Sequence, residues 1–238
     1  MMNSQTNMAD AGKPNPLVEL TITLIVPALI LMKLSGPEDL GAANALVLAL
    51  SFPLAWGVRD FWKRRKVNLF AALGVVSTIL TGGIGLLELD AQWLAVKEAA
   101  VPGLIGLAVL ASTYTRYPLV KTILLNPAII DVAGLQERLA AHGASKVFEA
   151  RLLRATWMLG GTFFFSSAMN YFLARYIVVS PAGTPAFNEE LGRLTLLSYP
   201  FIALPSMVMM MLLIYYLSRA TRELTGLSFT EFLTSAKV

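Results

Sequence analysis

Six apolar runs set the pattern of this chain: Pro16–Leu34, Leu40–Gly57, Phe70–Leu87, Trp93–Thr115, Ala155–Val179 and Leu194–Leu217. A helix needs about 20 residues to cross the hydrocarbon core of a bilayer, and runs of this length with so little charge are uncommon in water-soluble cores. Inside lipid each backbone N–H and C=O must find its partner within the chain, so each run predicts a helix. The expected fold class is all-α, a polytopic membrane helical bundle of six spans. The domain plan is a polar tail over residues 1–15, a six-helix transmembrane domain over 16–217 and a C-terminal tail over 218–238.

The polar connections fix an expected orientation, because loops rich in Lys and Arg stay cytoplasmic. The second connection carries Arg59, Lys63, Arg64, Arg65 and Lys66, and the fourth carries Arg116, Lys121, Arg138, Lys146, Arg151 and Arg154. The C-terminal tail adds Arg219, Arg222 and Lys237. The intervening connections hold acidic groups instead: Glu38 and Asp39, Glu88 and Asp90, Glu189 and Glu190. Both termini are therefore predicted to be cytoplasmic. The basic groups adjoin helix ends, where they attract anionic lipid headgroups at about 1 kcal/mol each. No aromatic interleaving accompanies them, so the bilayer and not a nucleic acid is the expected partner.

The fourth connection, residues 116–154, is the long one. Its Pro118–Leu139 stretch reads as a helix broken at Pro127, with Leu119, Val120, Ile123 and Leu124 set beside Arg116 and Lys121. That pattern predicts an amphipathic cytoplasmic segment lying under the leaflet. His142–Ser145 reads as a turn, and Leu224–Leu233 as a short surface helix.

Composition narrows the chemistry. Hydrophobic residues make up 56% of the chain and charged residues 14%, against roughly 25% charged in soluble domains. There is no cysteine and a single histidine, His142, which rules out thiol chemistry and a bis-histidine haem site and argues against a structural zinc site. No nucleophile elbow or phosphate-binding glycine loop is present. The sequence thus predicts no enzyme activity, no metal and no cofactor. The first run is expected to remain in the mature protein, since no small-residue cleavage site follows it.

Polar residues within or beside the runs are the candidates for function. Ionisable groups in a bilayer are costly and mark functional positions by default. Glu19 opens the first run, and Lys97 and Glu98 enter the fourth just ahead of Pro102. Thr162, Ser166 and Asn170 form a stripe at four-residue steps on the fifth, with interhelical hydrogen bonds as the expected use and a solute path as the alternative. Lys97 is expected to snorkel outward while Glu98 meets water or a helix N-terminus; the alternative has Glu98 facing the bundle, pairing with the stripe of the fifth run and binding a proton or cation. Gly74, Thr78 and Gly82 repeat at the same step on the third run, with Ser77, Thr81 and Gly85 alongside, a spacing that lets helix backbones approach. Pro27, Pro53, Pro102, Pro200 and Pro205 interrupt runs as membrane helices tolerate.

Four short features in order resemble the intracellular septation protein A family of bacterial inner-membrane proteins. They are Arg65-Lys66-Val67 before the third run; Asp90, Trp93 and Lys97 entering the fourth; Pro118-Leu119-Val120 after it; and Trp157 with Asn170-Tyr171 in the fifth. The resemblance covers roughly residues 61–179. The first two runs, with Ser35-Gly36-Pro37-Glu38 between them, look more like a broader group of multi-pass relatives. The resemblance implies a bacterial cytoplasmic membrane location and a non-enzymatic role in envelope biogenesis, septation or membrane homeostasis. Envelope or division proteins of the membrane are the implied partners. The alternative from the residues is a small transporter or channel working as a homodimer, because six helices enclose little space alone.

Overall fold

A computed structural model describes residues 16–64, 69–115, 118–125, 130–227 and 229–232. Among the described residues ten α-helical segments follow one another: α1 (Pro16–Leu20), α2 (Val26–Lys33), α3 (Gly41–Arg64), α4 (Leu69–Leu86), α5 (Gln92–Ser112), α6 (Leu119–Leu124), α7 (Val132–Ala141), α8 (Ser145–Ile177), α9 (Pro185–Ser198) and α10 (Leu204–Thr225). π-helical turns at Thr21–Ile25 and Tyr199–Ala203 join α1 to α2 and α9 to α10, and a 3-10 turn follows at Phe229–Phe232. No strand occurs among the described residues. Among the described residues three helical stretches are long and apolar enough to cross a membrane, Gly41–Arg59, Gln92–Ser112 and the continuous Pro185–Thr225; Ala72–Leu86 is a shorter apolar helix.

The apolar runs all lie on helices, but several helix ends differ from the run ends. α8 begins at Ser145, ten residues before its apolar run, because Lys146–Arg154 is itself amphipathic: Phe148 and Leu152 are buried while Lys146 and Arg154 are exposed. α9 begins at Pro185, not Leu194. Its start is set by Thr184, whose hydroxyl accepts the Phe187 N–H at 3.2 Å, and by a proline at the first helical position. Charge in the Asn188–Arg193 stretch interrupted the apolar pattern without interrupting the helix. At the far end α10 continues to Thr225 and stops at Gly226, whose φ of 74° suits a residue without a side chain. Of the separate helix expected over Leu224–Leu233, the described residues show the end of α10 and the 3-10 turn.

Two compact units make up the chain. The first comprises residues 1–97 and 173–197. Its core gathers Ile30, Leu31, Ala45, Leu46, Ile84, Leu94, Val178, Phe187 and Leu191. Small residues let its helices close: a Cβ on Gly82 would lie 2.9 Å from Leu50 Cδ1, one on Gly85 would overlap Leu46, and one on Gly192 would sit 2.8 Å from the Ala28 carbonyl oxygen. Gly74, by contrast, meets nothing within 4 Å, and Thr78 turns its hydroxyl back to the Gly74 carbonyl. Of the Gly74, Thr78 and Gly82 track the close approach is at Gly82, continued at Gly85, while nearer the start of α4 a Cβ on Gly57 would lie 3.0 Å from Val75 Cγ2.

The second unit comprises residues 98–172 and 198–238. Val120, Ile130, Leu135, Leu139, Phe148, Leu152, Leu213, Leu217 and Phe232 are buried together in it. The Asp131 N–H donates to the Phe232 carbonyl at 2.7 Å, tying the 3-10 turn to the start of α7. The 116–154 connection is built from α6, α7 and the start of α8. The apolar faces of α6 and α7 cover protein, with Val120, Leu135 and Leu139 buried, and of the four apolar positions named on α6 it is Ile123 that stays exposed. Pro127 lies outside the described residues, as do Arg65 and Lys66. His142 ends α7 in the expected turn, its Nδ1 2.8 Å from the Arg138 carbonyl oxygen.

Candidate functional site

The α4–α5 pair brings together the polar groups that the sequence singled out most clearly. Glu88, in the left-handed region at φ 51°, and the Asp90 carboxylate, which accepts the Gln92 N–H at 2.8 Å, shape the turn between them. Thr81 lies five residues before the end of α4 and Lys97 five residues after the start of α5, so both stand about 7.5 Å in from the turn. Lys97 Nζ donates to Thr81 Oγ1 at 2.7 Å and to Ser77 Oγ at 3.2 Å. Ser77 and Thr81 are one helical turn apart and share a face. Thr81 also donates its own proton to the Ser77 carbonyl at 3.0 Å, which leaves its lone pairs for the ammonium.

This geometry corrects the outward-snorkelling expectation for Lys97. Its side chain is half-buried and turned across to the neighbouring helix. Sequence spacing had marked Ser77 and Thr81 as small residues for packing, and the structure uses their hydroxyls as acceptors. Glu98, the next residue, is also half-buried.

The stripe on α8 behaves differently from expectation. Thr162 donates to the Met158 carbonyl at 3.2 Å, and Asn170 Nδ2 donates to the Ser166 carbonyl at 2.8 Å and to Ser166 Oγ at 3.3 Å. All of these stay within the helix. The bond that does cross comes from Ser167, one position off the stripe, which donates to the Ala99 carbonyl at 2.8 Å. Pro102 removes the amide that would have bonded the Glu98 carbonyl, and Ser167 meets the backbone of the same disturbed turn. Gly103 keeps that approach open, since a Cβ there would be 3.0 Å from Ser167 Oγ. Trp157 and Tyr171 are exposed on α8, and Pro118 directly precedes α6.

One further polar position, Asn188, carried no signal in the sequence, and another, Glu190, was read there only as loop charge. Asn188, 1% exposed, donates through Nδ2 to the Ala42 carbonyl at 2.7 Å and to Ser35 Oγ at 3.0 Å. A lone asparagine ahead of an apolar run gives no hint of partners some 150 positions earlier. Glu190 accepts the N–H groups of Val179 and Ser180 at 3.0 and 2.9 Å and the Ser180 hydroxyl at 2.8 Å. It closes off the end of α8 as well as adding negative charge to that connection.

Glu19 lies at the other end of the first unit. Its carboxylate accepts the Trp56 indole N–H at 3.2 Å, and the Arg59 guanidinium stands 5.0 Å from the centre of the Trp56 ring. Charge pairs gather at the polar ends of the second unit: Lys121 with Glu149 at 2.7 Å, Arg151 with Glu223 at 3.7 Å, and Arg219 with Glu223 at 2.7 Å. The hydrogen bond from Arg219 holds the Glu223 carboxyl below its ordinary range, beyond the point where the apolar run ends at Leu217. Among the described residues no group of three or more His, Asp or Glu side chains is placed to hold a metal. No protein-family model, curated protein or solved structure matches the chain.

Proposed function

We propose that this chain is a six-span protein of a bacterial cytoplasmic membrane, with both termini inside and a non-enzymatic role in envelope biogenesis, septation or membrane homeostasis. Helix lengths support the six spans. The two shortest apolar stretches, Pro16–Lys33 and Leu69–Leu86, run for 18 residues, roughly 27 Å, close to the hydrocarbon thickness that slight thinning or snorkelling accommodates. The 33 residues of α8 and the 41 of Pro185–Thr225 exceed it and leave their charged ends in water.

The observation that carries the functional reading is the use of the polar groups. Lys97 binds across to Ser77 and Thr81, Asn188 across to Ser35 and Ala42, and Ser167 across to Ala99. These bonds fasten helices to one another. A protein built this way acts by presenting a fixed outer surface to other membrane proteins. That surface is rich in contact groups: Trp157, Tyr171, Phe172 and Tyr176 are all exposed along α8.

A dimeric transporter or channel is the second reading, favoured by one observation, an ionisable amine held on hydroxyls within an apolar helix pair. Complementation of an envelope phenotype separates the two. Lys97→Met and Glu98→Gln proteins that accumulate normally should restore the phenotype in full under the scaffold reading. Loss of function at normal protein level would favour the transporter and overturn the first reading.

A further inference from the structure

The apolar stretch of α3 runs from Gly41 to Arg59, 19 residues or roughly 28 Å of helix, so Arg59 stands where hydrocarbon gives way to headgroups. Two tryptophans flank it, Trp56 half-buried one turn before and Trp62, 75% exposed, one turn after. Indole rings concentrate at that depth of a bilayer. The side chains there are arranged as a supported cation. Glu19 on α1 accepts the Trp56 N–H at 3.2 Å and fixes the ring, and the Arg59 guanidinium rests 5.0 Å from the ring centre. A guanidinium positioned over an aromatic face is held by the ring quadrupole while its N–H groups stay available around its edge.

We infer that Arg59, seated on Trp56 and Glu19, forms a binding site for the phosphodiester headgroup of an anionic phospholipid. The planar fork of N–H donors matches two phosphate oxygens at once, which an ammonium cannot do. The negative charge of Glu19 opposes an anion, but the adjoining sequence is basic. Residues 59–66 carry five basic side chains against the single acid Asp60. Phospholipid is favoured over soluble phosphate because the depth is that of the headgroup layer and the flanking Trp62 side chain offers apolar surface to an acyl chain. The site deepens the membrane reading and rests on it for depth alone. It does not depend on an envelope role or on which leaflet Arg59 faces.

The test uses the purified full chain in a neutral detergent, with phosphatidylglycerol, phosphatidylcholine, glycerol phosphate or inorganic phosphate added as probes. Binding is read from tryptophan fluorescence and from the shift of the thermal unfolding midpoint. Phosphatidylglycerol should bind saturably and raise the midpoint, and the other three should not. Arg59→Gln should weaken phosphatidylglycerol binding roughly fivefold, the equivalent of one basic side chain at an anionic surface. Trp56→Phe keeps a ring but drops the bond to Glu19 and should fall between the two. Glu19→Gln retains an acceptor oxygen and should bind at least as well as the parent. Equal response to phosphatidylcholine, equal response to soluble phosphate, or an Arg59→Gln protein with unchanged binding would each overturn the site. The comparison of probes on the parent protein stands even if a variant fails to fold. Reporter fusions that place Arg59 on the outer face would overturn the topology and leave this result untouched.

Discussion

Removing Lys97 should cost less than removing the hydroxyls that receive it. The ammonium makes bonds of 2.7 and 3.2 Å to Thr81 and Ser77. Hydrogen bonds between membrane helices average about 0.6 kcal/mol each, up to about 1.7, so the two together contribute roughly 1 to 3 kcal/mol. Against this stands the cost of holding a lysine within the apolar layer, about 2.5 to 3.5 kcal/mol at a span centre and less this near a helix end. The opposing quantities nearly cancel. Lys97→Met therefore removes a gain and a cost together, and the net change should lie within about 1 kcal/mol of zero. The Ser77→Ala, Thr81→Val double variant keeps the cost and loses these two acceptors, so it should destabilise by roughly 1 to 3 kcal/mol. Reversible unfolding in mixed micelles, run as a cycle over Lys97→Met, the double variant and the triple variant, measures the coupling directly. Restoration of stability when Lys97→Met is added to the double variant is the expected signature. A double variant as stable as the parent, or a Lys97→Met protein that loses more than the double variant, would show that the amine and hydroxyls are not coupled.

Further expectations concern packing, polarity and topology. Gly192→Ala should destabilise the first unit by about 1 to 3 kcal/mol, because the new methyl would meet the Ala28 carbonyl oxygen at 2.8 Å and backbone cannot yield as a side chain can. Gly74→Ala, with nothing within 4 Å, should instead be neutral or raise stability by up to about 1 kcal/mol through helix propensity; the two variants are compared in the same unfolding assay. Asn188→Leu should lower stability by about 1 to 3 kcal/mol, with Asn188→Asp no better a substitute because it removes the donor held by Ala42 and Ser35. Reporter fusions after Val67, Asp90, His142, Pro185 and Val238 should read inside, outside, inside, outside and inside, and an external C-terminus would refute the six-span orientation.

The helices were legible because apolar runs of membrane length leave the backbone few alternatives. Their ends were not, since a charge inside a helix alters hydropathy long before it alters hydrogen bonding; Glu189, Glu190 and Arg193 hid the start of α9, from Pro185 to Arg193, for that reason. The site was half legible. Lys97 and the Ser77–Thr81 track were both visible, but their meeting depends on the rotational setting of α4 against α5, which no single-helix periodicity contains. The Thr162–Ser166–Asn170 stripe misled in the opposite sense. Hydroxyl and amide side chains at four-residue steps bond readily within their own helix. Ser167 makes the crossing bond because the close approach of α8 to α5 at Gly103 puts its hydroxyl beside the Ala99 carbonyl. Asn188 and Gly192 had no sequence signature at all, because each draws its role from a segment far away along the chain.

The two π-helical turns share a detail whose effect reaches beyond the turns themselves. The Val26 amide bonds the Thr21 carbonyl and the Leu204 amide bonds the Tyr199 carbonyl, and in both places the next residue is a proline, Pro27 or Pro205. The widened turn gives the ring the clearance that a regular turn denies it. It also takes in one residue more than a regular turn, and one residue corresponds to about 100° around the axis. Each proline thus works like the offset of a dial: it sets the compass bearing of every side chain that follows. A Pro205→Ala exchange that let the turn tighten would leave the composition of α10 almost unchanged. It would swing Leu213 and Leu217 out of their packed setting and bring a different row of side chains inward.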